Sequence, residues 1–378
     1  MILSAALPSH DTKHIVDVPF LDLRVTDAEE HRALLGAVDR VLEHGRIVNG
    51  PEVHELECAI AARCNRKYAI GVSSGTDALV VALRALNIHK GDEVIVPALS
   101  FVATANAVSL VGATPVFCDI GNDLNIQALE IADLITPNTK AIMPVHWAGR
   151  ICAMDHIMMI AKKFNLKVIE DASQAFGAGH DNNPAGSKGD VACFSMNAMK
   201  TLAALGDAGM VVTDDKNVYE KLDYLRYQGV KNKEVCHSLS GNHRLDTIQA
   251  AMLLVRLARF NNLLETRRKI AHFYDDRLKG IVETPKQWGH EKLAYYTYTI
   301  QCDRRDKLKD TLAQKGIETK IQHPILMPEQ PYYKQKGARG TWSHAKYLMT
   351  RVLCLPVHEK LTDKQCWHVV NSVAEFYK

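Results

Sequence analysis

The chain has 378 residues, 47% of them hydrophobic and 24% charged, with a formal net charge of +3. That length supports a sizeable core, spread over two or three domains or over one large α/β domain with a smaller companion. The near-neutral charge argues against nucleic acid or a strongly acidic partner. Nine cysteines are scattered with no Cys-x-x-Cys pair, several inside apolar runs, which fits buried reduced thiols in a cytoplasmic protein. Met1 to Leu7 is apolar, but it lacks a basic lead and runs into Pro8, so it makes a poor signal peptide.

In chain order, strands alternate with helices. Ala69 to Val72 predicts a short strand that runs into Ser73-Ser74-Gly75-Thr76-Asp77, followed by a helix over 78–86. The 25 residues from Val94 to Cys118 carry no charge, yet Pro97, Asn106, Gly112 and Pro115 split them. A buried strand–helix–strand unit (93–97, 103–111, 115–119) therefore fits better than a membrane span. Strands over 141–144 and 167–170 follow, with a helix over 157–164 between them. This alternation implies a mostly parallel sheet with ligands at the carboxyl ends of its strands. A long amphipathic helix over 246–278 leads into a tail of mixed strands and helices, whose final helix is capped at Leu361-Thr362-Asp363. The expected division is a large domain over 1–258 and a small C-terminal α+β domain over 259–378. The segment from Lys231 to Asn242 reads as a polar loop.

Lys200 follows Asp171 by 29 residues, and Asp171 ends the apolar run Val168-Ile169-Glu170-Asp171. An acid at a strand end and a lysine at such a distance suggest pyridoxal 5′-phosphate (PLP) chemistry. The lysine forms a Schiff base with the cofactor, and the carboxylate keeps the pyridine nitrogen protonated so that the ring becomes an electron sink. A solvated surface lysine is the competing reading. Ser74-Gly75-Thr76, between a strand and an Ala-rich helix, is a candidate anion site or simply a capped helix start. Ser195 lies five residues before Lys200, where its hydroxyl can reach the same phosphate. Phe101, beyond the strand over 93–97, is either a stacking ring or a core residue. His-Glu-x-x-His, a phosphate-loop motif and Gly-x-Ser-x-Gly are all absent, so no metal site, nucleotide hydrolysis or α/β-hydrolase chemistry is assigned.

The ordered set Gly-Val-Ser-Ser-Gly-Thr-Asp-Ala-Leu, Glu-Asp-Ala-Ser-Gln, Phe-Ser-x4-Lys and Gly-Asp-x-Gly resembles the DegT/DnrJ/EryC1/StrS sugar aminotransferases. The resemblance runs from Val18-Pro19-Phe20-Leu21-Asp22-Leu23 to Leu355-Pro356-Val357-His358. It implies the aspartate-aminotransferase-like fold (PLP fold type I) and a homodimer with shared active sites. It also implies roles residue by residue. Lys200 is the Schiff-base lysine and proton shuttle, Asp171 the partner of the pyridine nitrogen, and Gln174 a contact of the ring hydroxyl. Gly75, Thr76 and Ser195 hold the phosphate with Asn242 of the neighbouring subunit, and Phe101 stacks on the ring. His323, followed by Pro324, matches a segment lining the sugar pocket, with His146 or Arg150 at its border; for these three a core or solvated side chain competes. The chain departs from the family pattern at Ala198-Met199 (usually Pro-Thr or Pro-Ser), at Ala208 and at Ser240 (both commonly Gly), which bears on the sugar more than on the reaction.

The implied activity is a two-stage transamination from an amino acid, L-glutamate by family analogy, to a keto sugar. The product would be an amino sugar for lipopolysaccharide or another surface glycoconjugate. The acceptor is either a nucleotide-linked 3- or 4-keto-6-deoxyhexose or an oxidised keto-deoxyoctulosonate, whose carboxylate Arg150 and His323 would suit. The alternatives are a PLP-dependent sugar dehydratase or lyase on the same fold, and a non-catalytic PLP-binding sensor. No nucleic-acid or membrane partner is expected.

Overall fold

The computed structural model describes residues 16–378 except Lys233 and Arg339, so the apolar stretch from Met1 to Leu7 lies outside the described residues. The main sheet has seven strands: β1 (Tyr68–Val72), β2 (Glu93–Pro97), β3 (Thr114–Cys118), β4 (Thr139–Ile142), β5 (Lys167–Asp171), β6 (Val191–Ser195) and β7 (Gly209–Thr213). Their spatial order is β1-β7-β6-β5-β4-β2-β3. The run from β3 to β6 is parallel, and β7 lies antiparallel to both β6 and β1. Strands β2, β4, β5 and β6 are buried almost throughout because helices cover both faces of the sheet. All five parallel-running strands that lead to the candidate residues therefore open at one edge.

The helices start and stop where the sequence supplies caps. Asp27 accepts from the amides of Glu29 and Glu30 at the start of α1 (Ala28–His44), and Gly45 closes that helix at φ 69°. Pro51 opens α2 (Pro51–Arg63). The Ser74 side chain accepts from the Asp77 amide to begin α3 (Gly75–Ala85), three residues earlier than the sequence suggests. Helices α4 (Ala103–Leu110) and α5 (Met154–Phe164) complete the crossovers, and α6 (Lys216–Leu225) covers the edge near β1.

Helix α7 (Thr247–Leu278) carries the chain between two cores. Phe260 and Leu264 pack with the main-sheet core, whereas Ile270, Ala271, Tyr274 and Leu278 pack with the C-terminal one. The expected division at 258/259 falls inside this continuous helix, and core membership changes between Leu264 and Ile270 instead. The C-terminal core gathers around an antiparallel pair, β8 (Tyr298–Gln301) and β9 (Val352–Leu355), with α8 (Arg305–Gln314) and a final helix over Asp363–Tyr377. Val18, from the other end of the chain, joins that core through a bridge to Ile317. Residues 326–349 return to the large domain: Met327 N–H donates to Ala98 O at 2.9 Å, and Trp342 Nε1–H to Phe117 O at 2.9 Å. The segment from Lys231 to Asn242 contains a short hairpin, with Val230–Lys231 paired to Val235–Cys236. Among the described residues no helix is long and apolar enough to cross a membrane.

Gly209 opens β7 directly against the turn before α3, and a Cβ there would lie 2.2 Å from Ser74 O. Backbone cannot yield as a flexible side chain would. Gly209→Ala should cost roughly 1–3 kcal/mol by overpacking, read as a lower denaturant midpoint at unchanged slope.

Candidate active site

At the carboxyl end of β5, Asp171 is only 3% exposed. Its Oδ2 accepts from Thr104 Oγ1 at 2.8 Å and its Oδ1 from the Ser173 amide at 3.2 Å. Among the described residues no cation pairs with it. A buried carboxylate normally finds a cation or neutralises. A protonated heterocycle is the counter-charge this site accommodates, which makes the donor set fit PLP.

Lys200 arrives on the loop after β6. That loop is fixed by backbone bonds from Met196 to Ala208 O (2.8 Å), from Ala198 to Gly206 O (2.9 Å) and from Lys200 to Asn197 O (2.8 Å). Ala198, where the family usually has proline, thus donates a bond that proline could not make. Met199 is half-exposed, so the departure at 198–199 faces outward. The Lys200 ammonium sits 4.5 Å from the centroid of the Tyr296 ring, a cation–π contact with the C-terminal domain.

The candidate phosphate cradle is the start of α3 against the end of β6. A Cβ on Gly75 would stand 2.5 Å from Ser195 Cβ, so only glycine lets the helix amides and the Ser195 hydroxyl converge. Thr76 is next in the same turn. The turn is tied to Asn242 through its neighbour: His243 Nδ1 lies 2.8 Å from Asp77 Oδ1, and Ser73 donates to the other Asp77 oxygen. The Asp77 carboxyl is held below its usual range: burial opposes this, and the bonds from His243 and Ser73 outweigh it. Asn242 itself is exposed, its Oδ1 accepting from Arg244 Nε at 3.1 Å. Within the chain Asn242 bridges Tyr227, and Arg244 two residues on bridges Val72 of β1; neither contact tests the expected role of Asn242 across an interface.

Gln174 is buried, and its Oε1 accepts from the Ala148 amide at 2.9 Å, which leaves the side-chain NH2 to donate. Phe101 is 56% exposed, unlike a core phenylalanine. Its ring lies 5.4 Å from that of His323, which meets Trp147 edge-on, also at 5.4 Å. Burial, and then the positive charges of Lys200 and Lys320, push the His323 imidazole down to about 4, so it is neutral near pH 7.

His146 and Arg150 depart from the expectation. The His146 ring is fully buried, with Nε2 2.8 Å from Glu170 Oε2 and Nδ1 accepting from the Cys152 amide at 3.2 Å. Both nitrogens are used inside the core, so no sugar can reach them. Arg150 is 5% exposed, paired with Glu291 at 3.2 Å, bonded to Lys286 O and stacked on Trp288 at 4.2 Å. It lines a cavity of about 450 Å³ that shares Trp147 and Ala148 with the site wall but does not touch Lys200 or Asp171. Sequence reasoning missed Thr104, Ser100, Trp147 and Tyr296. Only the first pair leaves a trace, two hydroxyls four residues apart in an otherwise apolar run; nothing in the sequence signals Tyr296.

A lysine, an uncompensated buried carboxylate and a glycine-dependent anion cradle at the strand ends define a PLP-dependent enzyme of the aspartate-aminotransferase-like class. Residues 28–374 match the DegT/DnrJ/EryC1/StrS aminotransferase family, and the chain belongs to it. It is an aminotransferase with PLP as cofactor. One relative, the UDP-N-acetyl-3-dehydro-alpha-D-glucosamine 3-aminotransferase of Acidithiobacillus ferrooxidans, is 39% identical over 94% of this chain and 97% of its own. Among solved structures, DesV of S. venezuelae in complex with a ketimine intermediate superposes with a TM-score of 0.93 at 36% identity, covering 96% of this chain and 98% of DesV. NtdA of Bacillus subtilis with bound cofactor PMP gives 0.89 at 32% identity, over 96% of this chain and 86% of NtdA.

The depressed basicity of His323 has a consequence for stability. Between its usual value of 6.5 and about 4, the unfolded chain binds a proton at this position that the folded chain does not. His323 therefore makes stability fall as pH drops through that window. In denaturant titrations at pH 7 and pH 4.5, His323→Gln should lose less stability than wild type over the same interval.

Proposed function

We propose that this aminotransferase takes the amino group of L-glutamate and delivers it to the keto carbon of a nucleotide-linked sugar, as part of amino-sugar supply for a surface glycoconjugate such as lipopolysaccharide. The observation that carries the reading is the buried Asp171 carboxylate without a protein cation, on the same strand edge as Lys200. When bound there, PLP supplies the electron sink. Asp171 would keep the ring nitrogen protonated, Gln174 would donate its free NH2 toward the ring oxygen, and Gly75, Thr76 and Ser195 would bind the phosphate. Lys200 Nζ would move the proton between substrate and cofactor carbons, with Tyr296 receiving its ammonium when the lysine is free.

Two observations favour a nucleotide-linked keto sugar over an acidic octulosonate. Arg150 is already paired with Glu291, and His323 is neutral, so neither supplies a charge for an acceptor carboxylate. The amination of a 3-keto position by the 39%-identical relative points the same way. A keto carbon lined by neutral Phe101, His323 and Trp147 matches an uncharged hexose ring rather than a sugar acid.

The enzyme is read as a homodimer with shared sites. Phe101, Met199, Leu205 and Leu239 are exposed apolar side chains on or near the loops of the site, and a partner chain would cover them.

Three outcomes are expected. Glutamate added to the holoprotein should bleach its visible band and release 2-oxoglutarate; glutamate that does neither would sink the donor assignment. Lys200→Ala should fall below about a thousandth of wild-type turnover with an unchanged melting profile, and Asp171→Asn should lose roughly 3 kcal/mol of transition-state stabilisation, about a hundredfold in rate. Mixing Lys200→Ala with Asn242→Ala chains should restore about a quarter of wild-type activity, since each mixed dimer keeps one intact site. No recovery in verified mixed dimers would place Asn242 within its own chain's site.

A further inference from the structure

We infer that Ser100 and Thr104 form a one-way hydroxyl relay that positions Asp171 for the cofactor nitrogen. The inference rests on the reading of Asp171 as the partner of that nitrogen. Neither hydroxyl belongs to the resemblance described above.

The direction of the relay follows from counting protons. An ionised carboxylate only accepts, and a threonine hydroxyl has one proton to give. Thr104 Oγ1 lies 2.8 Å from Asp171 Oδ2, so its proton points there. At the 2.9 Å contact between Ser100 Oγ and Thr104 Oγ1, threonine must therefore accept and serine donate. Ser100 and Thr104 are 4% and 1% exposed, so water does not compete for either bond. Bonds of this kind to a charged group in a dry site are stronger than neutral ones.

The local backbone explains why these two residues serve. The turn that opens α4 presents Phe101 outward and Ser100 and Thr104 inward, with Thr104 N–H bonded to Phe101 O at 3.2 Å. Val102 caps the helix without a side-chain bond, and the Thr104 hydroxyl does not bond back to its own helix. One turn thus fixes both the ring that faces the cofactor and the donor behind its carboxylate. Asp171 Oδ1 has only the longer 3.2 Å bond from Ser173, so Thr104 is the contact that holds the carboxylate plane. Each oxygen keeps a lone pair for the ring N–H. Thr104 and Ser100 are positioning residues: neither is placed against the cofactor or substrate.

The test uses full-length protein reconstituted with PLP. Thr104→Val keeps the shape and removes the donor. It should bind PLP about tenfold or more weakly, as loss of a hydrogen bond to a charged group predicts, and should move the pH at which the visible band titrates. Thr104→Ser restores the hydroxyl and should return both readouts to near wild type, whereas a merely structural role for the methyl would leave this variant impaired. Ser100→Ala should move the band's titration in the same direction as Thr104→Val but less, and it carries the test if Thr104→Val does not fold. Melting of the apo-proteins monitors the fold. A Thr104→Val protein with wild-type PLP affinity and wild-type band titration overturns the relay, as does a Ser100→Ala variant that shifts the band the opposite way. A wild-type protein that binds no PLP at all overturns the cofactor reading, and the relay with it.

Discussion

The burial of Asp171 with no cation beside it among the described residues is the constraint on which this site depends. Removing a carboxylate from water costs several kcal/mol, and natural cores seldom leave that cost without an opposing charge. Here the chain offers a hydroxyl and an amide, enough to orient the group but not to neutralise it. On the proposed reading, a bound pyridinium would supply the opposing charge.

Its neighbour shows the contrast. Glu170 is equally buried, but on the opposite face of β5, as the two-residue period of a strand requires. Its oxygens accept from the amides of Gly186, Lys188 and Gly189 and from His146, with the Arg66 guanidinium 3.8 Å away. Burial pushes the Glu170 carboxyl up, and these partners outweigh it, leaving the group below its usual range. One carboxylate is saturated by its own chain and serves the fold. The next is left short of donors, as the cofactor role proposed for it requires. The His146 ring turns inward for this reason: it follows the end of β4, where a pocket residue is expected, but Glu170 needs the donor.

Where the sequence was legible, the cause was local. Gly and Pro punctuation around short apolar runs marks β1 to β4, and Ser74, Asp27 and Thr362 mark helix starts by their own cap chemistry. Strands β6 (Val191–Ser195) and β7 (Gly209–Thr213) are not assigned from the sequence, although they are as short and as buried as β2 and β5. Lys200, Asp171 and Gly75 are legible as candidates because a Schiff base needs an amine, a pyridinium an acid, and the close approach to Ser195 a glycine. The remainder of the site is tertiary. Thr104 meets Asp171 across 67 residues, and Tyr296 meets Lys200 only because α7 carries the chain back beneath the sheet. No local pattern encodes either contact.

Both cores hold parts of the candidate acceptor wall. Tyr296 belongs to the stretch leading into β8, but His323 lies just before residues that return to the large domain, pinned by Met327 to Ala98 and by Trp342 to Phe117. His323 itself takes a left-handed φ of 54°, a conformation non-glycine residues hold only when their surroundings require it. The wall formed by Phe101, His323 and Trp147 is therefore anchored to the sheet that carries Asp171. Tyr296 is tied to the same wall: the amide of Ala294, two residues before it, donates to Gly149 O at 3.0 Å, two residues from Trp147. On the reading proposed above, proton transfer at Lys200 and acceptor binding at His323 would therefore rest on one connected part of the molecule, and the charge of Lys200 that depresses the basicity of His323 would couple the two.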